Sequence, residues 1–227
     1  MIKILPILLA VGYGLVMYRF SVWRTGRELD EQSTVLADPK LVAMSNQMAK
    51  ALDLPRINVH IYEIEPVNGL AAPDGRIFIT RGFYNKFCAG EVTAEELASV
   101  IAHELGHVAL GHSRRRMIDF SGQNAMRAAL GMVLSRFIPG VGVWIANMLT
   151  SLLAAKLSRS DEFEADAYAA ALLTKAGIGI APQISLFEKL DALTKSGGGR
   201  APAWLMTHPK TEERIAALNK MQVKWER

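Results

Sequence analysis

The chain has 227 residues and a formal net charge of +4, from 26 basic and 22 acidic residues. This length suits one domain with accessory segments, and half of the residues are apolar, enough for a sizeable core. No dense stripe of lysine and arginine with interleaved aromatic residues occurs, which argues against nucleic acid as a partner, and a single cysteine, Cys88, excludes an internal disulfide.

The N-terminus carries an uncharged apolar run, Ile4–Tyr18. As a helix this run is about 22 Å long, shorter than a ~30 Å hydrocarbon core, but Phe20 and Trp23 can extend it to the interface. No small-x-small cleavage site of a signal peptide follows it. We therefore predict an uncleaved membrane anchor at residues 1–24 and a linker or short helix at residues 25–37. A small excess of basic residues after the run favours a cytoplasmic domain but leaves the side of the membrane open.

A helix and two strands are predicted next. Asp38 followed by Pro39 is typical of a helix start, because the carboxylate can cap the first turn and proline suits the first helical position. Alternating apolar residues predict strands at Ile57–Tyr62 and Arg76–Thr80, separated by the turn sequence Pro73-Asp74-Gly75. The simplest arrangement of these strands is a small antiparallel sheet.

Helices dominate the remainder. Thr93 and Glu96 have the spacing of a capping box and predict the start of a helix. The apolar stretch Val141–Ala155 is short for a membrane span and contains Asn147, so we favour a buried or membrane-surface helix over a second span. Further helices are predicted at Ser121–Phe137, Ser160–Leu173, Pro182–Thr194 and Thr211–Trp225.

The helix that begins at Thr93 carries the sequence HELGH, residues 103–107. Side chains four positions apart lie on one helix face, so His103 and His107 can bind the same metal ion. Glu104 lies beside them and can take a proton from a metal-bound water as that water attacks a peptide carbonyl. This pattern predicts a zinc site with Glu104 as general base.

A catalytic zinc needs a third protein ligand and an open position. The position six residues after His107, where a metzincin has its third histidine, is Ser113, and His112 lies on another face of the helix. A carboxylate on a later helix is the alternative. Glu162 and Asp166 are four apart and share a face, so one can bind zinc while the other orients a ligand imidazole. Spacing alone does not assign the two roles.

The combination of HELGH and, about 55 residues later, EFEAD resembles the gluzincin peptidases grouped with HtpX, BepA and the CAAX prenyl protease. Their pattern is HExxH followed by ExxxD, and the resemblance extends over most of the chain from Asp38 onward. It implies that Glu162 is the third zinc ligand and that Asp166 supports the site from behind. Arg214 matches an arginine common in this family, which implies a pairing with an acidic side chain.

Two further segments resemble parts of that family. The segment Asn68-Gly69-Leu70-Ala71-Ala72 begins a stretch similar to the family's edge strand, which implies that it pairs with an extended substrate. Gly69 replaces the family's usual alanine, and Asp74 replaces a glycine. Thr207-His208-Pro209 resembles a late family segment whose histidine lies near the metal. His208 is therefore expected to be a ligand in a latent state, a donor to the oxyanion, or only a residue before a helix.

Together these features predict an α+β, predominantly helical gluzincin domain at residues 38–227, with a small antiparallel sheet beside the HExxH helix. The expected function is a zinc-dependent endopeptidase, with one zinc per subunit, that hydrolyses misfolded or membrane-associated proteins. The expected partners are polypeptide and membrane lipid, with a single-pass location in a bacterial inner membrane. The alternative is a latent or non-proteolytic chaperone or assembly factor, its zinc site occluded by His208 or by Val141–Ala155.

Overall fold

The computed structural model describes residues 4–72, 74–112, 130–131, 133–196, 203–208 and 212–225. It divides into two compact units. The first unit comprises Met1–Glu31 and Gly111–Asp161, and the second comprises Gln32–Leu110 and Glu162–Arg227.

The first unit contains helix α1, Ile4–Glu31. The predicted boundary at residue 24 is not a structural break, because the helix continues through the polar residues that follow. Arg27 and Glu31, one turn apart, form an ion pair of 2.7 Å on its last turn. Residues 25–37, for which the sequence predicts a linker or short helix, include the end of α1 and a strand. Within the part of the chain that the structure describes, no helix is both long enough and apolar enough to cross a membrane.

The second unit contains a four-stranded sheet. Its strands are β1 (Ser33–Val35), β2 (Val59–Tyr62), β3 (Gly69–Ala71) and β4 (Ile77–Thr80), in the spatial order β1-β2-β4-β3. The pairs β1–β2 and β3–β4 are antiparallel, whereas β2 and β4 are parallel. The sheet is thus mixed, which differs from the wholly antiparallel arrangement expected from the sequence.

The parallel pair arises from the hairpin between β3 and β4. The backbone N–H of Ala72 donates to the carbonyl of Arg76 at 2.8 Å, and Asp74 Oδ1 accepts from the Arg76 N–H at 3.1 Å. Gly75 has a φ of +90°, which glycine adopts without strain. The hairpin returns β4 into the place between β2 and β3, so β4 runs in the direction of β2.

Local signals position the helices that precede the site. Asp38 Oδ1 accepts from the N–H groups of Lys40 and Leu41 at the start of the helix Pro39–Ala51. At the start of the helix Ala94–Ala109, Thr93 and Glu96 form the predicted capping box, with distances of 2.8 and 3.2 Å. The helices here are α2 (Pro39–Ala51), α3 (Arg81–Cys88) and α4 (Ala94–Ala109).

The long helix α5, Gly142–Lys175, joins two segments that the sequence analysis treats separately, Val141–Ala155 and Ser160–Leu173. No glycine or proline occurs between residues 143 and 175 to interrupt it. The predicted helix Ser121–Phe137 lies mostly outside the described residues, although residues 133–137 are helical. The remaining helices are α6 (Ala181–Ser196), α7 (Ala203–Thr207) and α8 (Glu212–Trp225).

The core of the second unit lies between the sheet and the helices. Ile77 and Ile79 of β4 are buried against apolar residues of α4, such as Leu97 and Ile101, and α2 contributes Met48. Burial of these side chains holds α4 in the centre of the unit. The α+β, predominantly helical fold class is confirmed, and α4 lies where side chains from the sheet and from later helices can meet it.

Candidate metal centre

Helix α4 supplies three buried polar side chains to one point. His103, Glu104 and His107 are each only 2% exposed. The Nε2 atoms of His103 and His107 lie 3.1 Å apart, as expected for side chains one helical turn apart that face the same ligand. Because these side chains are buried from water, their polar atoms contact one another and the polar side chains that other elements bring to this point.

Helix α5 brings a carboxylate to the two imidazoles. Glu162 Oε2 is 3.4 Å from His103 Nε2, and Glu162 Oε1 is 3.5 Å from His107 Nε2. The approach depends on Gly106, because a Cβ atom added there would lie 3.0 Å from the carbonyl oxygen of Ala165 and 3.1 Å from its Cα. The two helices therefore cross in backbone-to-backbone contact beside the site.

His208, which follows α7, completes the group. Its Nδ1 lies 3.3 Å from His103 Nε2 and 3.0 Å from Glu162 Oε2, and its Nε2 lies 3.3 Å from Glu104 Oε1. Trp204 fixes this histidine, because its carbonyl accepts from the His208 N–H at 2.7 Å and its ring lies 5.4 Å from the imidazole. The N–H of Trp204 in turn donates to the carbonyl of Val67, just before β3.

The donor atoms of these side chains fit a small tetrahedral cation. One ligand atom from each of His103, His107, Glu162 and His208 lies within 4.8 Å of the others. Their separations run from 3.0 to 3.5 Å, and a tetrahedron with metal–nitrogen bonds of ~2.0–2.1 Å has edges of about 3.3 Å. Imidazole and carboxylate ligands suit a first-row transition metal. The group could hold one metal ion.

Asp166 lies behind the donor group rather than in it. Its Oδ1 is 3.0 Å from His103 Nδ1, the ring nitrogen that faces away from the other donors. Arg214 makes a two-pronged contact with Asp166 at 2.6 and 2.8 Å, and also reaches Glu162 at 3.2 Å. This geometry separates the two acidic residues that spacing alone left equivalent: Glu162 faces the ligand position, and Asp166 orients an imidazole.

Charges in this buried group are strongly coupled. Burial would lower the pKa of His103, but the adjacent carboxylates of Asp166 and Glu162 raise it to about 9. Burial would raise the pKa of Glu162, but its contacts with His103 and His208 hold it well below its usual range. The pKa of Asp166 is also lowered, because Arg214 and His103 outweigh the effect of burial. Both carboxylates are therefore ionised at neutral pH, and that of Glu162 is available to a cation.

The predicted substrate segment lies beside Glu104. A Cβ atom added to Gly69 would lie 2.6 Å from Val100 Cγ1 and 3.7 Å from Glu104 Oε1, so β3 passes directly over this part of α4. β3 is an edge strand. The carbonyl of Asn68 and the N–H of Ala72 form backbone hydrogen bonds towards the β4 side. Because such bonds alternate along an antiparallel pair, the backbone N–H and carbonyl groups of Gly69 and Ala71 point to the open edge. Leu70, between them, is half-buried.

Other histidines lie elsewhere. His60 stacks on Phe78 within the sheet, with ring centroids 5.2 Å apart, and His112 lies 3.7 Å from Asp161. The site also includes residues that the sequence analysis did not single out. Gln183 approaches Asp166 at 3.4 Å, and the Phe187 ring lies 4.8 Å from the Arg214 guanidinium. No spacing pattern in the sequence identifies Trp204, Gln183 or Phe187 as site residues, because each reaches the site through tertiary packing.

A HExxH helix and a second helix that adds a glutamate to the same buried donor group define the site of a metal-dependent hydrolase. The sequence profile of peptidase family M48 matches residues 36–222, and the chain belongs to this family. It is accordingly a metalloprotease, a hydrolase of peptide bonds.

Named relatives agree with this class. The chain is 30% identical to the metalloprotease LoiP of Escherichia coli (strain K12) over 197 residues, which cover 83% of this chain and 73% of LoiP. It is 29% identical to the metalloprotease YcaL of the same organism over 181 residues, covering 77% of this chain and 66% of YcaL. It is 26% identical to a protease HtpX homologue of Chlorobium phaeobacteroides (strain BS1), covering 92% of this chain and 79% of that protein.

Proposed function

We propose that the protein is a zinc-dependent endopeptidase that hydrolyses misfolded or membrane-associated polypeptides beside a membrane. One observation carries the proposal. Three side chains from two helices, His103, His107 and Glu162, converge with separations of 3.1 to 3.5 Å, and Glu104 is buried next to them. Two imidazoles and a carboxylate are the ligand set of His₂Glu zinc peptidases.

Each residue has a defined task. His103, His107 and Glu162 would hold the zinc, which when bound polarises the substrate carbonyl and lowers the pKa of a water molecule. Glu104 accepts the proton of the attacking water and returns it to the leaving amine. Asp166 keeps the His103 ring in position through Nδ1.

An extended substrate would add to the edge of the sheet along Asn68–Ala72. The outward backbone groups of Gly69 and Ala71 are available for pairing in the manner of β-augmentation. The Gly69 N–H already donates to Asn68 Oδ1 at 3.0 Å, so that side chain must turn aside when a substrate carbonyl takes its place. This position lays the scissile bond beside Glu104.

His208 has two possible tasks in this proposal. As a donor 3.3 Å from Glu104, it would stabilise the oxyanion of the tetrahedral intermediate. Its Nδ1, however, also lies 3.0 Å from Glu162 and 3.3 Å from His103, where a fourth ligand would close the site. That contact favours the alternative function, a latent protease or a chaperone that binds unfolded chains without cutting them.

The decisive experiment compares the wild type with Glu104→Gln, both loaded with zinc, on casein. We expect cleavage by the wild type alone and equal zinc content in the two proteins, since Glu104 is not a ligand. Binding of casein by both without cleavage would support the chaperone and contradict the peptidase.

His208→Ala separates the two tasks of that histidine. We expect kcat to fall about 10²–10³-fold with KM and zinc content nearly unchanged, as for the loss of an oxyanion donor. His112→Ala, at a histidine outside the donor group, serves as the control. A rise in proteolysis in His208→Ala would assign the histidine to closing the site instead.

For location, we propose that the apolar segment of residues 1–24 attaches the protein to a bacterial inner membrane. The support is the uncharged run Ile4–Tyr18, followed by the exposed side chains of Phe20 and Trp23. Sequencing the mature N-terminus tests whether the segment is retained. Proteolysis of sealed inverted and right-side-out vesicles then reports the side of the domain, and release of the protein by carbonate washing would contradict attachment.

A further inference from the structure

A concentrated apolar surface surrounds the turn at Pro139-Gly140 in the first unit. The turn joins the helical residues 133–137 to the start of α5. Phe137 is 76% exposed and Trp144 is 64% exposed. The other large apolar side chains exposed here are Val133, Ile138, Val141, Val143, Met148 and Leu149. We call residues 133–149 the apolar hairpin.

The hairpin is a folded element rather than a loose loop. The Ile138 N–H donates to the Leu134 carbonyl at 2.7 Å, and the Gly142 N–H donates to the Ile138 carbonyl at 3.0 Å. A Cβ atom at Gly142 would collide with the backbone of Leu134 and Ser135. The two arms therefore meet in direct backbone contact, which presents the surrounding side chains in fixed positions.

The start of α5 reverses the pattern of a helix that faces water. Its buried positions, four residues apart, are occupied by the small residues Gly142, Ala146 and Thr150. Its large apolar residues, including Trp144 and Leu149, point outward. In water this arrangement loses the benefit of apolar burial, whereas small residues at the packed face and large apolar residues outside are typical of helices that contact lipid.

Charge in the surrounding sequence matches a membrane surface. Residues 120–160 contain no aspartate or glutamate and four basic residues, Arg127, Arg136, Lys156 and Arg159. Arg136 is exposed next to Phe137. Basic side chains beside exposed tryptophan and aliphatic residues suit the interface of an anionic bilayer.

We propose that the apolar hairpin inserts into the interfacial region of an anionic membrane, as a second lipid contact in addition to the N-terminal segment. The inference rests on the proposed membrane location and assigns a second surface of the protein to the contact with lipid. The hairpin is short, and Asn147 is exposed on the same helix, so the contact is with the interface and not across the bilayer.

The test uses the full chain in a Cys88→Ser background, in which Phe137→Cys provides a single labelling site. Asn219→Cys, at an exposed position of α8, is the matched control. Each protein is labelled with an environment-sensitive fluorophore and mixed with vesicles of phosphatidylethanolamine and phosphatidylglycerol, with or without lipids that carry nitroxide at shallow or deep positions. Vesicle flotation is recorded on the same samples.

We expect the proteins to float, and the label at position 137 alone to show a blue shift and several-fold brighter emission, with stronger quenching by shallow than by deep nitroxide. Floating protein with a label at 137 as exposed as that at 219 would overturn the inference and leave membrane attachment intact. Failure to float would overturn both. A blue shift without quenching by lipid nitroxide would assign the surface to a protein partner or a second copy and overturn the lipid contact.

Discussion

At the scale of single residues, a chain of three charged or polar side chains supports the candidate metal centre from behind. Arg214 contacts Asp166 at 2.6 and 2.8 Å, and Asp166 contacts His103 Nδ1 at 3.0 Å. All three side chains are nearly inaccessible to water. Loss of the carboxylate would free the imidazole to rotate and leave the buried guanidinium with only its longer contact to Glu162.

We predict that Asp166→Asn lowers zinc affinity about 10–100-fold, because an oriented ligand imidazole loses its partner. Affinity is measured by competition with a chromophoric chelator, and thermal unfolding checks that the variant folds. Glu164→Gln, at an exposed position in the same helix, provides the control. Equal affinities of Asp166→Asn and wild type would contradict the assigned role of Asp166.

A second residue-scale prediction concerns Gly69. The Cβ atom of Gly69→Ala would lie 2.6 Å from Val100 Cγ1, so either β3 or the Val100 side chain must move. We expect a loss of about 1–3 kcal/mol of stability and a fall in kcat/KM for peptides, as the substrate edge shifts from Glu104.

The added substitution Val100→Ala should restore part of both losses, which a double-mutant cycle measures. Gly26→Ala is a suitable control, since nothing lies within 4 Å of the added atom in that helix. If Gly69→Ala matches the wild type in unfolding and in kinetics, β3 and α4 are not in the tight contact described.

Residues of the site differ in how far sequence can identify them. His103, Glu104 and His107 are identifiable because helical geometry fixes their relation within one turn. Glu162 and Asp166 share a face, so their spacing does not distinguish them. The family resemblance implies their roles, and in the structure their distances to the two sides of His103 differ accordingly. Trp204 and Gln183 reach the site from separate helices, so no spacing in the sequence connects them with it.

At the scale of elements, the start of α4 ties the catalytic helix to α6. Glu96 accepts hydrogen bonds from Thr93, Ser185 and Lys189 at 2.6 to 2.8 Å. Burial would raise the pKa of Glu96, but these donors lower it below the ordinary value of 4.5. A carboxyl group with a lowered pKa stabilises the folded state above its unfolded pKa, and this contribution is lost as the pH falls through the folded value.

We therefore predict that Glu96→Gln destabilises the protein by about 1–2 kcal/mol at pH 7, and that its difference from the wild type shrinks below about pH 4. Urea unfolding between pH 3 and pH 7 measures this difference. Glu95→Gln, exposed on the same turn, is the control. A difference that stays constant across this range would show that the ionised carboxylate is not the stabilising form.

Elements are predictable where their causes are local. The caps of α2 and α4 depend on residues two or three positions apart, and the structure has both. The parallel pairing of β2 with β4 is decided by the hairpin that returns β4 between its neighbours, which alternation in a single strand does not encode. In the sequence, the only sign that α5 is continuous is the lack of glycine and proline between two segments of different composition.

At the scale of the whole molecule, the second unit has an apolar core independent of the donor group. Buried residues of α3, β4, α4, α5 and α6 form one cluster, including Phe83, Leu173 and Leu190. This amount of burial supports a fold without help from a metal ion. We therefore expect the proposed zinc to be catalytic rather than structural.

We predict that removal of the metal abolishes proteolysis, leaves the far-ultraviolet circular dichroism nearly unchanged, and lowers Tm by about 5–10 °C, since a ligand at 100-fold its Kd stabilises by about 2.7 kcal/mol. Zinc should restore activity, and magnesium, which prefers oxygen ligands, should not. Loss of helical signal on chelation would identify a structural metal site instead.

The backbone crossing at Gly106 gives the donor group its width. At this glycine, α4 contacts Ala165 of α5 without an intervening side chain. Gly106 therefore controls the distances between the ligand atoms of the two helices, although it is not itself a ligand. A methyl group would part the helices by a few tenths of an ångström, a large change against zinc–nitrogen bonds of ~2.0–2.1 Å. The affinity for the metal then depends on helix spacing, and it can fall with every ligand left in place.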